Sequence, residues 1–326
     1  MKRRALLAAG GAWLLAATVP SLAQAQRSLR LIVLVHPGTQ LGYQEDFDAF
    51  RAAMRILGYV EGKDIAYKTL WAEGKFAQLE ALAAEAASLK PALILTAASA
   101  GIAACRKATS SIPIVFATAA NPVEQGFVAS LRRPEGNVTG IIVHSDLWQK
   151  VVEISREALP KLRRLALLTH DQDPIHKGSL EEFEKSAPRY NFEPLVVRIS
   201  RADELDRAFK DLAARKAEAL YVPNLALLVS LNNQLAARAL KARLPLLSGN
   251  PSLAEAGGLL GYGTQRHENW RRAAALVDKI LKGAKAGDIA VEQPEKFELV
   301  INLKTAKAIG VTVSPTTLLR ATKVIE

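Results

Sequence analysis

One order of elements occurs twice along this chain, and that repetition limits the folds open to it more than any other feature. Residues 29–35 form a near-continuous apolar run, as expected of a parallel strand buried on both faces. Phe47, Phe50, Met54 and Leu57 then recur at helical spacing, and Gly58 ends the pattern. Residues 65–71 read as a strand, and Phe76, Leu79, Leu82, Ala86 and Leu89 mark one face of a helix. Strands at 93–96 and 112–117 flank a short helix at 99–108. Such a β-α-β-α-β-α-β series builds an open parallel sheet with helices on both faces.

In the second half, strands are expected at 165–169, 195–199, 220–222 and 244–248. Ser179 and Glu182 have the spacing of a capping box ahead of a helix carrying Phe183. Leu205, Phe209 and Leu212 mark another helix, and a third is expected over 225–240. Both halves close alike: Ile112-Pro113 opens a strand running into Asn121-Pro122, and Leu244-Pro245 one running into Asn250-Pro251. The expected fold class is therefore α/β, with two doubly wound parallel-sheet lobes. Segments 137–143, 257–263 and 290–297 fit neither repeat, and passage between lobes at each would make a three-segment hinge. The amphipathic helix on Trp270, Ala274, Val277 and Leu281 then returns to lobe one. The expected division is 1–25 as an export signal, 26–140 with 264–290 as lobe one, and 141–263 with 291–326 as lobe two.

The export reading rests on Lys2, Arg3 and Arg4, the apolar run over 5–19 and the small residues of Ala23-Gln24-Ala25, with removal after Ala25. The run is short and rich in Ala and Gly, whereas a membrane span needs about 20 strongly apolar residues. No cysteine stands at the cut, so no lipid anchor is expected there. The expected location is the periplasm, as a monomer without a stable membrane anchor, and either the Sec or the twin-arginine route fits. The net charge of +11 is spread among acids, as over 177–185, with no basic run interleaved with aromatics. It reads as solvated surface, and no nucleic acid partner is expected. Cys105 is the single cysteine, so no internal disulfide supports the fold.

In open parallel sheets, ligands bind outside the carboxyl ends of the strands. In the first half those loops carry Gly38, Thr39, Gln40 and Tyr43, then Thr96, Ala98, Ser99 and Ala100, then Thr118 and Asn121. In the second half they carry His144 and Asp146, His170 and Asp171, Tyr221 and Asn224, then Asn250 and Tyr262. The Thr96-Ala97-Ala98-Ser99-Ala100 stretch points to an anion such as a carboxylate, because small residues let a ligand reach the free N–H groups of a helix start. Ser99 either contacts that ligand or caps the helix. Asp146 and Asp171 are acceptors for a ligand ammonium or helix caps. Tyr43, Trp148, Tyr221 and Tyr262 flank a ligand ring or pack the core and hinge.

Enzymatic motifs are missing: there is no G-x-S-x-G elbow, no G-x-x-x-x-G-K-[ST] loop and no H-E-x-x-H helix. His36, His144 and His170 all fall at expected strand ends, but no close-spaced ligand pair accompanies them. Neither a metal nor a cofactor is expected.

Several motifs occur in order along the chain: Leu57-Gly58-Tyr59-Val60-Glu61-Gly62-Lys63-Asp64-Ile65, Trp71-Ala72-Glu73-Gly74, Ile112-Pro113-Ile114-Val115-Phe116-Ala117 and Pro134-Glu135-Gly136-Asn137-Val138-Thr139-Gly140. Val291-Glu292-Gln293-Pro294 follows, then Phe297-Glu298-Leu299-Val300-Ile301-Asn302-Leu303-Lys304-Thr305-Ala306. Together they resemble the ABC-transporter substrate-binding family that includes tryptophan- and phenylalanine-binding lipoproteins. The resemblance implies the type 1 periplasmic-binding fold and delivery of a small-molecule solute to an inner-membrane ABC permease powered by a separate ATPase. By position, the loops after Val35, Thr96 and Ala117 would hold the ligand's carboxylate end. Asn121-Pro122 stands where many relatives have Asp-Pro, which removes one acid that would pair with a ligand ammonium. A periplasmic sensor module, presenting its liganded form to a membrane receptor, is the alternative use of such a chain.

Overall fold

The computed structural model describes residues 29–143, 147–170, 176–294 and 296–326, so the expected export segment lies outside it. The first half folds as β1 (Arg30–His36), α1 (Gln40–Ile56), β2 (Ile65–Trp71), α2 (Leu79–Ser88), β3 (Leu93–Thr96), α3 (Ala98–Ala108), β4 (Ile114–Ala120) and β5 (Val138–Val143). All its strand pairings are parallel, in the order β2-β1-β3-β4-β5. Period-two alternation along β1 explains why helices cover both faces. Ile32 and Leu34 pack with Phe47, Phe50 and Met54 of α1, whereas Val33 and Val35 pack with Ala83, Ala86 and Ile102 of α2 and α3. Each large apolar side chain fully buried in this way contributes about 1.5–3 kcal/mol.

The second half begins with α4 (Leu147–Ala158) and β6 (Arg164–His170). There follow α5 (His176–Tyr190), β7 (Glu193–Ile199), α6 (Leu205–Ala214), β8 (Ala219–Val222), α7 (Ala226–Ser230), α8 (Asn232–Ala242), β9 (Leu246–Ser248), α9 (Pro251–Glu255) and β10 (Leu260–Gly263). Its sheet contains β7-β6-β8-β9-β10, the same order as the first sheet, extended by β11 (Glu298–Asn302) and β12 (Lys323–Ile325). Only the pairing of β10 with β11 is antiparallel in this sheet. The repeat expected from sequence is thus a repeat of topology: two doubly wound α/β lobes.

Two local expectations are corrected. The helix expected over 225–240 is broken at Leu231 into α7 and α8. Leu227 and Leu228 pack in the second lobe while Val229 packs in the first, so α7 lies between the two cores. The Ser230 hydroxyl also bonds back to the Ala226 carbonyl at 2.9 Å, a bond that competes with helix propagation. Helix α5 starts at His176, so Ser179 and Glu182 lie inside it and not at its cap.

β5 stays paired with β4 as far as Val143, beyond the boundary expected at 140. After β10 the chain enters α10 (Arg266–Leu281), whose Trp270, Ala273, Ala274 and Val277 pack with Phe47 and Phe50. Glu292 then bridges to Ile141 before β11 re-enters the second sheet. In chain order, β5 closes the first sheet, β6 to β10 join the second, α10 packs in the core of the first and β11 rejoins the second.

Candidate functional site

Strand order reverses between β1 and β3 in one sheet and between β6 and β8 in the other. Helices leaving these neighbours diverge, which opens a crevice at their carboxyl ends.

At the end of β1, His36 is fully buried and its Nδ1 accepts the Gly38 N–H at 2.9 Å. The ring proton therefore sits on Nε2, which has no hydrogen-bond partner among the described residues. Burial, and secondarily Arg266, push the imidazole pKa down to about 3, so the ring stays neutral. Tyr43 packs on it with ring centroids 4.0 Å apart, and the Arg266 guanidinium lies 4.7 Å from the Tyr43 ring. Thr39 caps α1, its hydroxyl accepting the Gly42 N–H at 3.1 Å. Gln40 is exposed, and its N–H donates to Glu73 at 3.1 Å.

After β3, the Thr96 hydroxyl donates to the Val35 carbonyl at 2.8 Å and so ties β3 to β1. Ala97 occupies the N-cap of α3 and no side chain caps that helix, which rules out the capping role for Ser99. Ser99 is 2 % exposed and its hydroxyl has no partner among the described residues. Ala98 has φ +60°, a left-handed conformation costing roughly 1–2 kcal/mol for an L-residue, while Ala100 packs in the apolar cluster beneath. On β4, Thr118 is half-buried at a register shift between Phe116 and Ala119. Asn121 turns the chain with φ +44°, and its carbonyl accepts the Gln125 N–H.

In the second lobe, Thr169 and His170 end β6 and are buried, the Thr169 hydroxyl without a partner among the described residues. Tyr221 at the end of β8 meets the Trp148 ring edge-on at 4.5 Å, and burial raises its pKa. Asn250 caps α9 through Oδ1, 3.1 Å from the Ser252 N–H, which leaves its buried amide nitrogen unpaired, as is the Trp148 indole N–H. Tyr262 stacks on Phe297 at 5.8 Å beside the third passage, the packing role. Asn224 is exposed. His144, Asp146 and Asp171 lie outside the described residues.

The two carboxyl edges meet: the Thr39 N–H donates to the Ser230 hydroxyl at 3.2 Å, and the rings of Phe76 and His170 stand 4.9 Å apart. His36 and His170 end strands of different sheets, and no metal-holding group of three side chains occurs among the described residues. The unpaired groups at these edges are mainly donors: His36 Nε2–H, the Trp71 and Trp148 indoles, Ser99 and Asn250. Desolvated donors of this kind suit an acceptor-rich ligand such as a carboxylate. Cys105 is buried and its thiol is pushed up to about 12, which makes it a packing residue. Sequence reasoning missed Trp71, Asp46, Arg266 and Ser230. Asp46 had a readable signal, a charge on the face of α1 that also carries Tyr43, Phe47 and Phe50.

Two doubly wound lobes, joined by three passages and facing each other by their strand ends, define the type 1 periplasmic-binding fold. The chain belongs to the family described as ABC transporter substrate binding protein, whose family model matches residues 32–325. It is 27% identical over 260 residues to a tyrosine-binding protein of Clostridioides difficile (strain R20291), covering 80% of this chain and 75% of that one. A conserved domain protein from Vibrio cholerae superposes with a TM-score of 0.83 at 23% identity, covering 90% of this chain and 99% of the other. An ABC domain from Streptococcus pneumonia in complex with L-Trp gives 0.82 at 21% identity, over 91% and 100%. Substrate-binding proteins of this family act outside the cytoplasm, and among the described residues no helix is long and apolar enough to cross a membrane.

Proposed function

We propose that this chain is the solute receptor of an ABC importer, closing its lobes on a small carboxylate-bearing ligand, an amino acid or an aromatic or organic acid, and delivering it to the permease. The observation that carries this reading is the set of buried, unpaired donors at the strand ends of both lobes, with the uncapped start of α3 among them. The carboxylate is assigned to Ser99 and the free N–H groups that open α3. Asn250 and the Trp148–Tyr221 pair approach from the other lobe. A tyrosine-binding relative and a fold neighbour holding L-Trp favour an amino acid with a ring.

Lobe one comprises 29–143 with 266–292, and lobe two 147–263 with 298–326. Ligand bound to one lobe supplies the acceptors that the other needs, so closure is favoured by the differential affinity of the closed form. The chain makes and breaks no bond. After removal of its first 25 residues it diffuses in the periplasm as a monomer. Calorimetric titration of purified protein with aromatic amino acids and small carboxylates tests the reading: saturable binding that Ser99→Trp abolishes supports it, and unchanged binding in that variant contradicts it.

A further inference from the structure

Helix α7 follows β8 in the second lobe but is shared between lobes. Leu227 and Leu228 pack in the second-lobe cluster with Leu168 and Leu220. Val229, 5 % exposed, packs instead with Tyr43, Phe47 and Trp270 of the first lobe. Ser230 continues the contact by accepting the Thr39 N–H. Gly42 lies so near that an added Cβ would stand 2.6 Å from the Ser230 Cα, and a Cβ on Gly74 would stand 3.0 Å from Leu227 Cδ1.

The surface that receives α7 is braced from behind. The Gly74 N–H donates to the Pro37 carbonyl at 2.9 Å, and the Ala72 N–H to the His36 carbonyl at 2.9 Å, so the turns after β1 and β2 form one lip. Arg266, the first residue of α10 after the second passage, reaches the Gly42 carbonyl at 3.4 Å and Asp46 at 2.8 Å.

We infer that α7 is the latch of the closed state, with Val229 as its plug and Gly42 and Ser230 as the positioning residues that set how far the lobes close. The inference rests on the reading of the chain as a receptor that closes. Parting the lobes exposes Val229 to water and breaks the Thr39–Ser230 bond, so both contacts act only in the closed form. Gly42 is needed at the seam because any side chain there meets backbone, which cannot turn aside as a flexible side chain would. Arg266 connects the seam to the second passage, so hinge rotation and latch contact move together.

Disulfide trapping tests this without a ligand. Thr39→Cys with Ser230→Cys places two thiols across the seam, and buried Cys105 does not compete. Under copper-phenanthroline oxidation this pair should cross-link. Adding Gly42→Leu, or separately Val229→Asp, should slow cross-linking at least tenfold, while Glu45→Leu at an exposed position of the same helix leaves it unchanged. Circular dichroism and thermal unfolding confirm that each variant is folded. Cross-linking at the parent rate in both seam variants overturns the latch and leaves closure intact. A folded parent pair that never cross-links overturns closure itself.

Discussion

Arg266 Nη2 stands 2.8 Å from the Asp46 carboxylate, with the two side chains 13% and 3% exposed, where the second passage enters α10. The contact is an ion pair rather than an aligned hydrogen bond, and desolvation outweighs the attraction of Arg266, which leaves the Asp46 pKa raised to about 6. Buried pairs of this kind add little net stability. Its value is positional: it fixes the start of α10 against α1, next to the hinge and beneath Gly42.

A pH dependence follows from that raised pKa. The folded protein holds the Asp46 proton between the unfolded value of 3.8 and about 6, so the group's stabilising contribution is complete below 3.8 and is lost as pH rises through about 6. Asp46→Asn removes the titration. Urea unfolding of ligand-free protein should show wild type gaining on Asp46→Asn by about 2 kcal/mol between pH 7 and 4.5. Parallel stability curves would show that Asp46 titrates normally.

Ser99 separates ligand binding from stability. Its hydroxyl has no partner to lose among the described residues, so Ser99→Ala should change unfolding free energy by less than about 0.5 kcal/mol. Affinity for the solute should fall about tenfold, the loss of one hydrogen bond to a charged group. Calorimetry and urea unfolding on the same preparations check both, and a variant that loses stability but keeps affinity would return Ser99 to a structural role.

Gly140 closes the Pro134–Gly140 motif for a packing reason. A Cβ there would collide with the Phe116 carbonyl and ring, inside the pairing of β4 with β5. Gly140→Val should cost about 3 kcal/mol or more, read by urea unfolding, because neither the backbone oxygen nor a fully buried ring can move aside. A variant as stable as wild type would mean that the first passage carries more slack than its register shows.

Much of the architecture was legible because burial on both faces writes itself into composition: the apolar runs at 29–35 and 93–96 read as central strands, and the strands stand at Arg30–His36 and Leu93–Thr96. The doubling of the Ile-Pro and Leu-Pro strand starts likewise announced two lobes with one topology. Passage points were less legible, because β5 is apolar to its end and gives no sign that pairing lasts to Val143. The break at Leu231 was invisible because residues 225–231 hold no Gly or Pro to mark it. At the site, strand-end logic picked out Ser99 and Asn250, both now seen with unpaired polar atoms. It also picked out Gln40 and Asn224, which are exposed, and chain position alone does not tell which way a loop side chain faces. Ser230 and Arg266 acquire their roles only through contacts nearly two hundred residues or more away in sequence.

A thermal-shift screen of the purified protein reads directly whether its two folded lobes close on a carboxylate-bearing solute. Ligand that binds only the folded state adds about 2.7 kcal/mol at one hundred times its Kd, enough to raise the midpoint by several degrees. At least one amino acid or small aromatic or organic acid should do this, and its carboxamide analogue should not. A screen in which no carboxylate shifts the midpoint, or in which acid and amide shift it equally, would contradict closure on a carboxylate.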